Sequence, residues 1–181
     1  MAFRTAFLAG IAAAVSAGAS AHAFEITSRD FTDGGRLQTA QVGVGANCRG
    51  GNVSPALAWK GAPPGTRSFA LTMFDPDAHG GVWHWAVFGI PAGTSGLPAH
   101  AGASDASLPK GARHAVNTHG KRAYSGACPP AGPPHRYIIT LYALKTARPA
   151  GIGTEPEAAA LDAAASREAI GKARITGIYG K

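Results

Sequence analysis

The sequence predicts an all-β body with long connections and one short helical region near its C-terminus. Three observations carry this. Glycine and proline are abundant, at 25 and 13 of 181 residues, while charged residues make up only 15% of the chain. Apolar residues alternate in the central runs, as they do along a strand with one buried face. Helical patterning is confined to an alanine-rich stretch late in the chain. The length suits one domain, being below the roughly 250 residues at which cores begin to split.

The chain opens Met1-Ala-Phe-Arg4, followed by a small-residue apolar run from Ala6 to Ala19 and then Ala21-His-Ala23. One early positive charge, a short apolar run and an A-x-A pattern form a secretory signal peptide over residues 1–23. The run is shorter than the roughly 20 residues that cross a bilayer, so no membrane span is expected in the mature chain. Export follows, to the periplasm of a Gram-negative source or otherwise into the medium, with a single mature domain over residues 24–181.

In the run from Arg67 to Asp75, Phe69, Leu71 and Met73 alternate as in a strand. Pro76 cannot donate to a ladder and pushes Asp75 toward extended geometry, so Asp75-Pro-Asp77 ends that strand with two carboxylates. A second strand is predicted over Val82–Ile90, with His84 between two tryptophans. Gly93 to Gly120 lacks apolar periodicity and reads as a long surface excursion. Tyr124 to Tyr137 is a stiffened loop, because its prolines fix φ and its glycines allow turns closed to other residues. It runs into the apolar, β-branched and aromatic Tyr137–Leu144, a buried strand. Glu155 to Gly171 predicts the helix, with Glu155 and Glu157 at its positive end and Pro156 in its first turn. Ala173–Tyr179 reads as a closing strand.

The candidate site follows from this layout. Side chains two apart share a strand face, so His135 and Tyr137 point the same way at one strand mouth. Asp75 and His84 come from the ends of other strands, and Pro129 and Pro130 supply a rigid wall. Imidazole gains charge near neutral pH, so His84 and His135 suit hydrogen-bond donation to an anion. Asp75 suits the orientation of a histidine, whereas Asp77 reads as a turn acid bonding its own backbone. Tyr137 offers an O–H, or else packs across the sheet. Backbone N–H groups around Gly126 and Gly132 could add an anion-binding nest. The two cysteines, Cys48 and Cys128, form an even pair in an exported chain, which favours a disulfide over two buried thiols.

Asp75-Pro-Asp-Ala78, His84-Trp85, Gly126 to Gly132 with Cys128-Pro-Pro130, and His135-Arg-Tyr137 together resemble the phosphatidylethanolamine-binding protein family, in its bacterial Raf-kinase-inhibitor-like branch. Ser54 to Trp59, Gly65 to Phe69 and Thr176 to Gly180 match more weakly, so the resemblance runs through nearly the whole mature chain. Two departures stand at the pocket rim: His79 and Ala127 occupy positions where the family usually has proline. The resemblance implies a β-sandwich, a large antiparallel sheet on a smaller one. It also implies a small pocket for a phosphate-type anion or phospholipid headgroup, and a possible protein partner such as a kinase or protease.

Other function classes fit the residues less well. The formal net charge is +7, but Lys121-Arg122 is the only adjacent basic pair, so the concentrated basic face of a nucleic-acid binder is missing. His22 leaves with the signal peptide, and no His-x-His or His-x-x-x-His spacing suggests a metal. A serine hydrolase wants Gly-x-Ser-x-Gly between strand and helix, and Tyr124-Ser-Gly126 is a poor match. No cofactor is implied. The reading is a non-enzymatic binding domain; the competing readings are acid–base catalysis by the Asp75/His84/His135 cluster and an interaction module with a vestigial pocket.

Overall fold

The computed structural model describes Met1, residues 23–45 and residues 47–180; the predicted signal peptide therefore lies almost wholly outside the described residues. Among the described residues, eleven strands and one α-helix follow in order, with three single-turn 3-10 segments between them. They are β1 (Glu25–Ser28), β2 (Gly35–Arg36), β3 (Val44–Gly45), β4 (Cys48–Arg49), β5 (Leu57–Lys60), β6 (Ser68–Asp75), β7 (Val82–Pro91), β8 (Gly96–Leu97), β9 (Arg113–His114), β10 (His135–Leu144), α1 (Ala158–Glu168) and β11 (Ala169–Tyr179). The large sheet has the order β2-β11-β10-β6-β7-β9, and a three-stranded sheet has the order β1-β5-β8. All pairings are antiparallel except the short β2–β11 edge. A β3–β4 ribbon stands apart.

The two sheets face each other across one apolar layer. Ile26, Leu57, Trp59 and Leu97 from the small sheet meet Phe69, Leu71, Met73, Val87, Ile139 and Leu141 from the large one. The outer face of the large sheet is covered as well. Ala70, Ala86, Phe88, Tyr142 and Leu144 pack under Leu161, Ala164 and Ala165 of α1. Cover on both faces explains why β6 is an almost unbroken apolar run and not a strict alternation. Asp162, inside α1, accepts hydrogen bonds from Thr72 Oγ1 at 2.9 Å and Tyr142 Oη at 2.6 Å, satisfying two hydroxyls that rise from the sheet.

The predicted β-sandwich with its single late helix is the architecture found. Four local expectations are corrected. The segment from Gly93 to Gly120 is a strap and not a surface excursion. It supplies edge strands to both sheets and buries Leu97, Ala101, Leu108, Ala112, Ala115 and Asn117. Pro156 lies before the Glu157 N-cap and not in the first turn, and β11 begins at Ala169, directly after the helix. β10 begins at His135, so that histidine belongs to the strand and pairs with Tyr179.

Candidate functional site

β6 runs antiparallel to both β7 and β10, so the end of β6 and the starts of β7 and β10 meet at one edge of the sandwich. A cavity of about 120 Å³ opens there, lined by Asp75, His84, His135 and Tyr137, with Pro129 and Pro130 on the wall. All six predicted site residues therefore come together. Ala78, Val82, His119, Gly126 and Cys128 complete the lining. The volume is well below the roughly 300–1,000 Å³ of pockets for drug-sized ligands. A shallower groove of about 390 Å³ adjoins it and shares His119, Gly126 and Cys128.

Asp75 performs two tasks with its two oxygens. Oδ1 accepts the backbone N–H of Asp77 at 2.9 Å and of Ala78 at 3.1 Å, closing the turn that Pro76 begins. Oδ2 accepts from His135 Nδ1 at 2.8 Å, which leaves His135 Nε2 for the cavity. Asp75 is only 2% exposed, so the pairing is shielded from water. Asp77, expected as a turn acid, is instead the anchor of Arg136. Its Oδ2 accepts from the Arg136 backbone N–H and Nε, and its Oδ1 from Nη2. These bonds hold the Asp77 carboxyl down to about 2 and keep Arg136 out of the cavity.

His84 reaches the cavity through a bulge. Met73 pairs with Trp85 and Phe74 with Trp83, so His84 is an extra residue with no partner across the ladder. Bulges re-aim side chains in this way beside functional sites. Trp83 joins the helix-side core and Trp85 the inter-sheet core, while the His84 ring meets Tyr137 edge-on at 5.1 Å. His84 Nδ1 lies 2.8 Å from the Ser125 carbonyl oxygen. A carbonyl only accepts, so Nδ1 carries the hydrogen and Nε2 is left with a lone pair. Burial pushes the His84 pKa below its ordinary value, more strongly than the Ser125 bond raises it, so the ring is held neutral.

Tyr137 is fully buried, and its hydroxyl makes no hydrogen bond of acceptable geometry, although the Asp75 carboxylate lies near. Burial, then the Asp75 charge, pushes its ionisation well above the ordinary phenol range.

The glycine nest does not form as expected. The Gly126 N–H is taken by Asn52 Oδ1 at 2.7 Å, and Gly132 does not line the cavity. Three contributors escaped sequence reasoning. His119 stands beside His84 with ring centroids 5.7 Å apart. Asn117, 2% exposed, donates through Nδ2 to the carbonyls of His84 and Ala123 and to Ser125 Oγ. Ser125 supplies the carbonyl that fixes the His84 tautomer. Asn117-Thr-His-Gly120 carried an ordinary turn signal and nothing that tied it to His84.

The wall is fastened by a disulfide. Cys48 on β4 joins Cys128, with Cα atoms 5.9 Å apart and 80 positions between them in sequence. The pairing expected from the cysteine count is present.

Comparison with known proteins fits this geometry. YbcL of Escherichia coli is 39% identical over 97% of this chain and 98% of its own length. Its crystal structure, described as a member of the mammalian PEBP family, superposes with a TM-score of 0.83 over 88% of this chain and 99% of that one. A protein of the UPF0098 group from Methanothermobacter thermautotrophicus is 39% identical over 82% of this chain and 93% of its own. LppC of Mycobacterium tuberculosis, which carries a lipoprotein name, is 36% identical over 88% of this chain and 74% of its own. The sequence profile described as phosphatidylethanolamine-binding protein matches residues 27–180, and the chain belongs to that family.

Proposed function

We propose that this protein is an exported, non-enzymatic binding protein whose Asp75/His84/His135/Tyr137 cavity takes the anionic head of a phosphate-type ligand or phospholipid. The observation that carries the reading is the cavity that brings Asp75, His84, His135 and Tyr137 together, the Tyr137 hydroxyl being buried there with no partner. A buried donor left unmade costs about 1–3 kcal/mol, and a ligand oxygen would recover it. The wall of Pro129 and Pro130 holds the opening without spending ligand binding energy on ordering it. Modulation of a protein partner such as a kinase or protease would then follow from whether the cavity is filled.

The proton inventory narrows the ligand. With His84 neutral and Asp75 charged, the free cavity holds no net positive charge, so a dianion does not enter as it stands. Either a histidine gains a proton, its charge balanced by Asp75, or the ligand brings a P–O–H group to the His84 Nε2 lone pair. Both routes leave the complex with more protons than the separated partners. Binding therefore strengthens as pH falls toward the phosphate's second ionisation near pH 6.

Calorimetric titration of residues 24–181 with phosphoethanolamine and with inorganic phosphate, in buffers of different ionisation heat, tests this. Proton uptake at pH 7 is expected, with binding weakened by about 1.5–3 kcal/mol in His135→Ala, the worth of a hydrogen bond to a charged group. Equal binding by wild type, His84→Ala, His135→Ala and Asp75→Asn would remove the cavity from consideration. Turnover of an ester or carbonyl substrate lost in His135→Ala would move the reading to acid–base catalysis. The export reading, a leader over 1–23 ahead of one domain over 24–181, is checked by an intact mass that starts at Phe24.

A further inference from the structure

A second cleft lies far from the Asp75/His84/His135 cavity. It has a volume of about 640 Å³ and sits where β6 begins and β7 and β10 end. Asp75 is seven residues along β6 from Ser68, so at about 3.3 Å per residue the two sites stand about 23 Å apart. Arg67, Lys110, Arg113 and Arg148 line the cleft over a floor that includes buried Phe88, and no acidic residue lines it. Among the described residues, none of these four side chains enters an ion pair or a side-chain hydrogen bond, whereas Lys60, His114, Arg122, His135 and Arg136 form ion pairs and Arg36 and Lys172 donate hydrogen bonds. Four uncompensated cations around one concavity repel one another and concentrate a positive potential there. Solubility needs no such arrangement, since scattered cations serve it equally well.

The backbone gives the cleft its shape. β7 bulges between Val87 and Ile90, leaving Phe88 and Gly89 opposite Ala70 alone. Gly89 takes the left-handed conformation at φ 69°, and a Cβ there would stand 3.1 Å from the carbonyl oxygen of Gly111, itself at φ 96°. The two glycines thus let the end of β7 run tightly beside the turn that presents Lys110 and Arg113.

We infer that this cleft is a second binding site, for a small molecule carrying two or more phosphate-type anionic groups. Its volume suits a ligand of that size. Three arginine forks and one lysine can engage separate oxyanions, which one phosphate could not do at once.

The probe is inorganic pyrophosphate, titrated calorimetrically into residues 24–181, with orthophosphate for comparison. Wild type should bind pyrophosphate more tightly than orthophosphate. Arg113→Gln/Arg148→Gln should weaken it by at least about tenfold, the lower end for loss of a charge-assisted hydrogen bond. Arg49→Gln/Arg174→Gln, the same charge change elsewhere on the surface, should leave it within about twofold. His135→Ala should not alter it, which separates this site from the cavity proposed above. Absence of pyrophosphate binding, or equal weakening by both double variants, would overturn the assignment. Loss in His135→Ala would place the ligand in the other cavity, and binding only to phosphatidylglycerol vesicles would make the patch a membrane contact; either overturns it too. All four substituted arginines are exposed, so the variants should fold.

Discussion

Tyr137→Phe should separate stability from binding by moving them in opposite directions. The substitution keeps a ring that is 0% exposed and its edge-on contact with His84 at 5.1 Å, and removes only the hydroxyl. That hydroxyl is buried with no partner, and an unsatisfied buried polar group costs about 1–3 kcal/mol. The free protein should therefore be unchanged or more stable by about 1–2 kcal/mol, each kcal/mol being about 2–4 °C in Tm for a chain of this size. Binding of phosphoethanolamine should weaken by about 1.5 kcal/mol, roughly tenfold. Tyr124→Phe is the internal contrast. Its hydroxyl donates to the Gln41 carbonyl at 2.7 Å and is nearly as buried; its removal leaves that carbonyl only the longer bond from the Ala127 N–H at 3.3 Å and should cost about 0.5–1.5 kcal/mol of stability. Urea denaturation of both variants, with calorimetry on the first, reads all the quantities. A Tyr137→Phe protein that is destabilised by more than about 1 kcal/mol and binds normally would show that Asp75 satisfies the hydroxyl and that its role lies in the fold.

Two further outcomes follow from the same structure. Cys48–Cys128 closes a sequence separation of 80, for which loop entropy gives about 4.5 kcal/mol; reduction should lower the urea midpoint accordingly, and two freely alkylated thiols in natively exported protein would refute the bridge. Burial depresses the pKa of both His84 and His114 below the ordinary 6.5, in His114 despite its bond to Asp105. The unfolded chain then binds more protons than the folded one as pH falls below 6.5, so stability should decline between about pH 6.5 and 5; Asp77, depressed to about 2, and Asp105 add losses only at lower pH. A denaturation midpoint that is flat or rising as pH falls through the first window would contradict the burial-depressed pKa of the two histidines.

The parts of the fold and site legible in the sequence are those with short-range causes. β6 could be read because Phe69, Leu71 and Met73 repeat with the period of a strand and Pro76 stops them. Asp75, His135 and Tyr137 could be placed together because each sits at a strand end beside a proline or in a strand of clear pattern. The strap could not be read. Leu97, Leu108 and Ala112 are buried one at a time by neighbours distant in sequence, so no periodicity marks them. The bulge at His84 was equally hidden, since strict alternation would set His84 on the face of Ala86 and Phe88. Only pairing with β6 reveals that a residue is extra. The role of Asp77 is hidden for a related reason: its partner Arg136 is 59 positions away.

These hidden contacts bear on how stiff the site is. Prolines alone would hold the wall's local shape but not its distance from His84. That distance is set from three sides. Ser125 and His84 bond each other twice, backbone N–H to carbonyl at 2.9 Å and imidazole Nδ1 to carbonyl at 2.8 Å. Asn117 ties the same two residues through one carboxamide. Gly126 then passes so close to residues 41–43 that an added Cβ would stand 2.5 Å from the Gly43 nitrogen, and Cys128 is bonded to Cys48 just beyond. A histidine fixed in tautomer and position meets, edge-on, a tyrosine ring locked in the core. Side chains already ordered lose little entropy on binding. Under the binding role proposed above, such a site would reward a ligand that fits its polar groups as they stand and adapt poorly to others, favouring one small anionic head over a range of shapes.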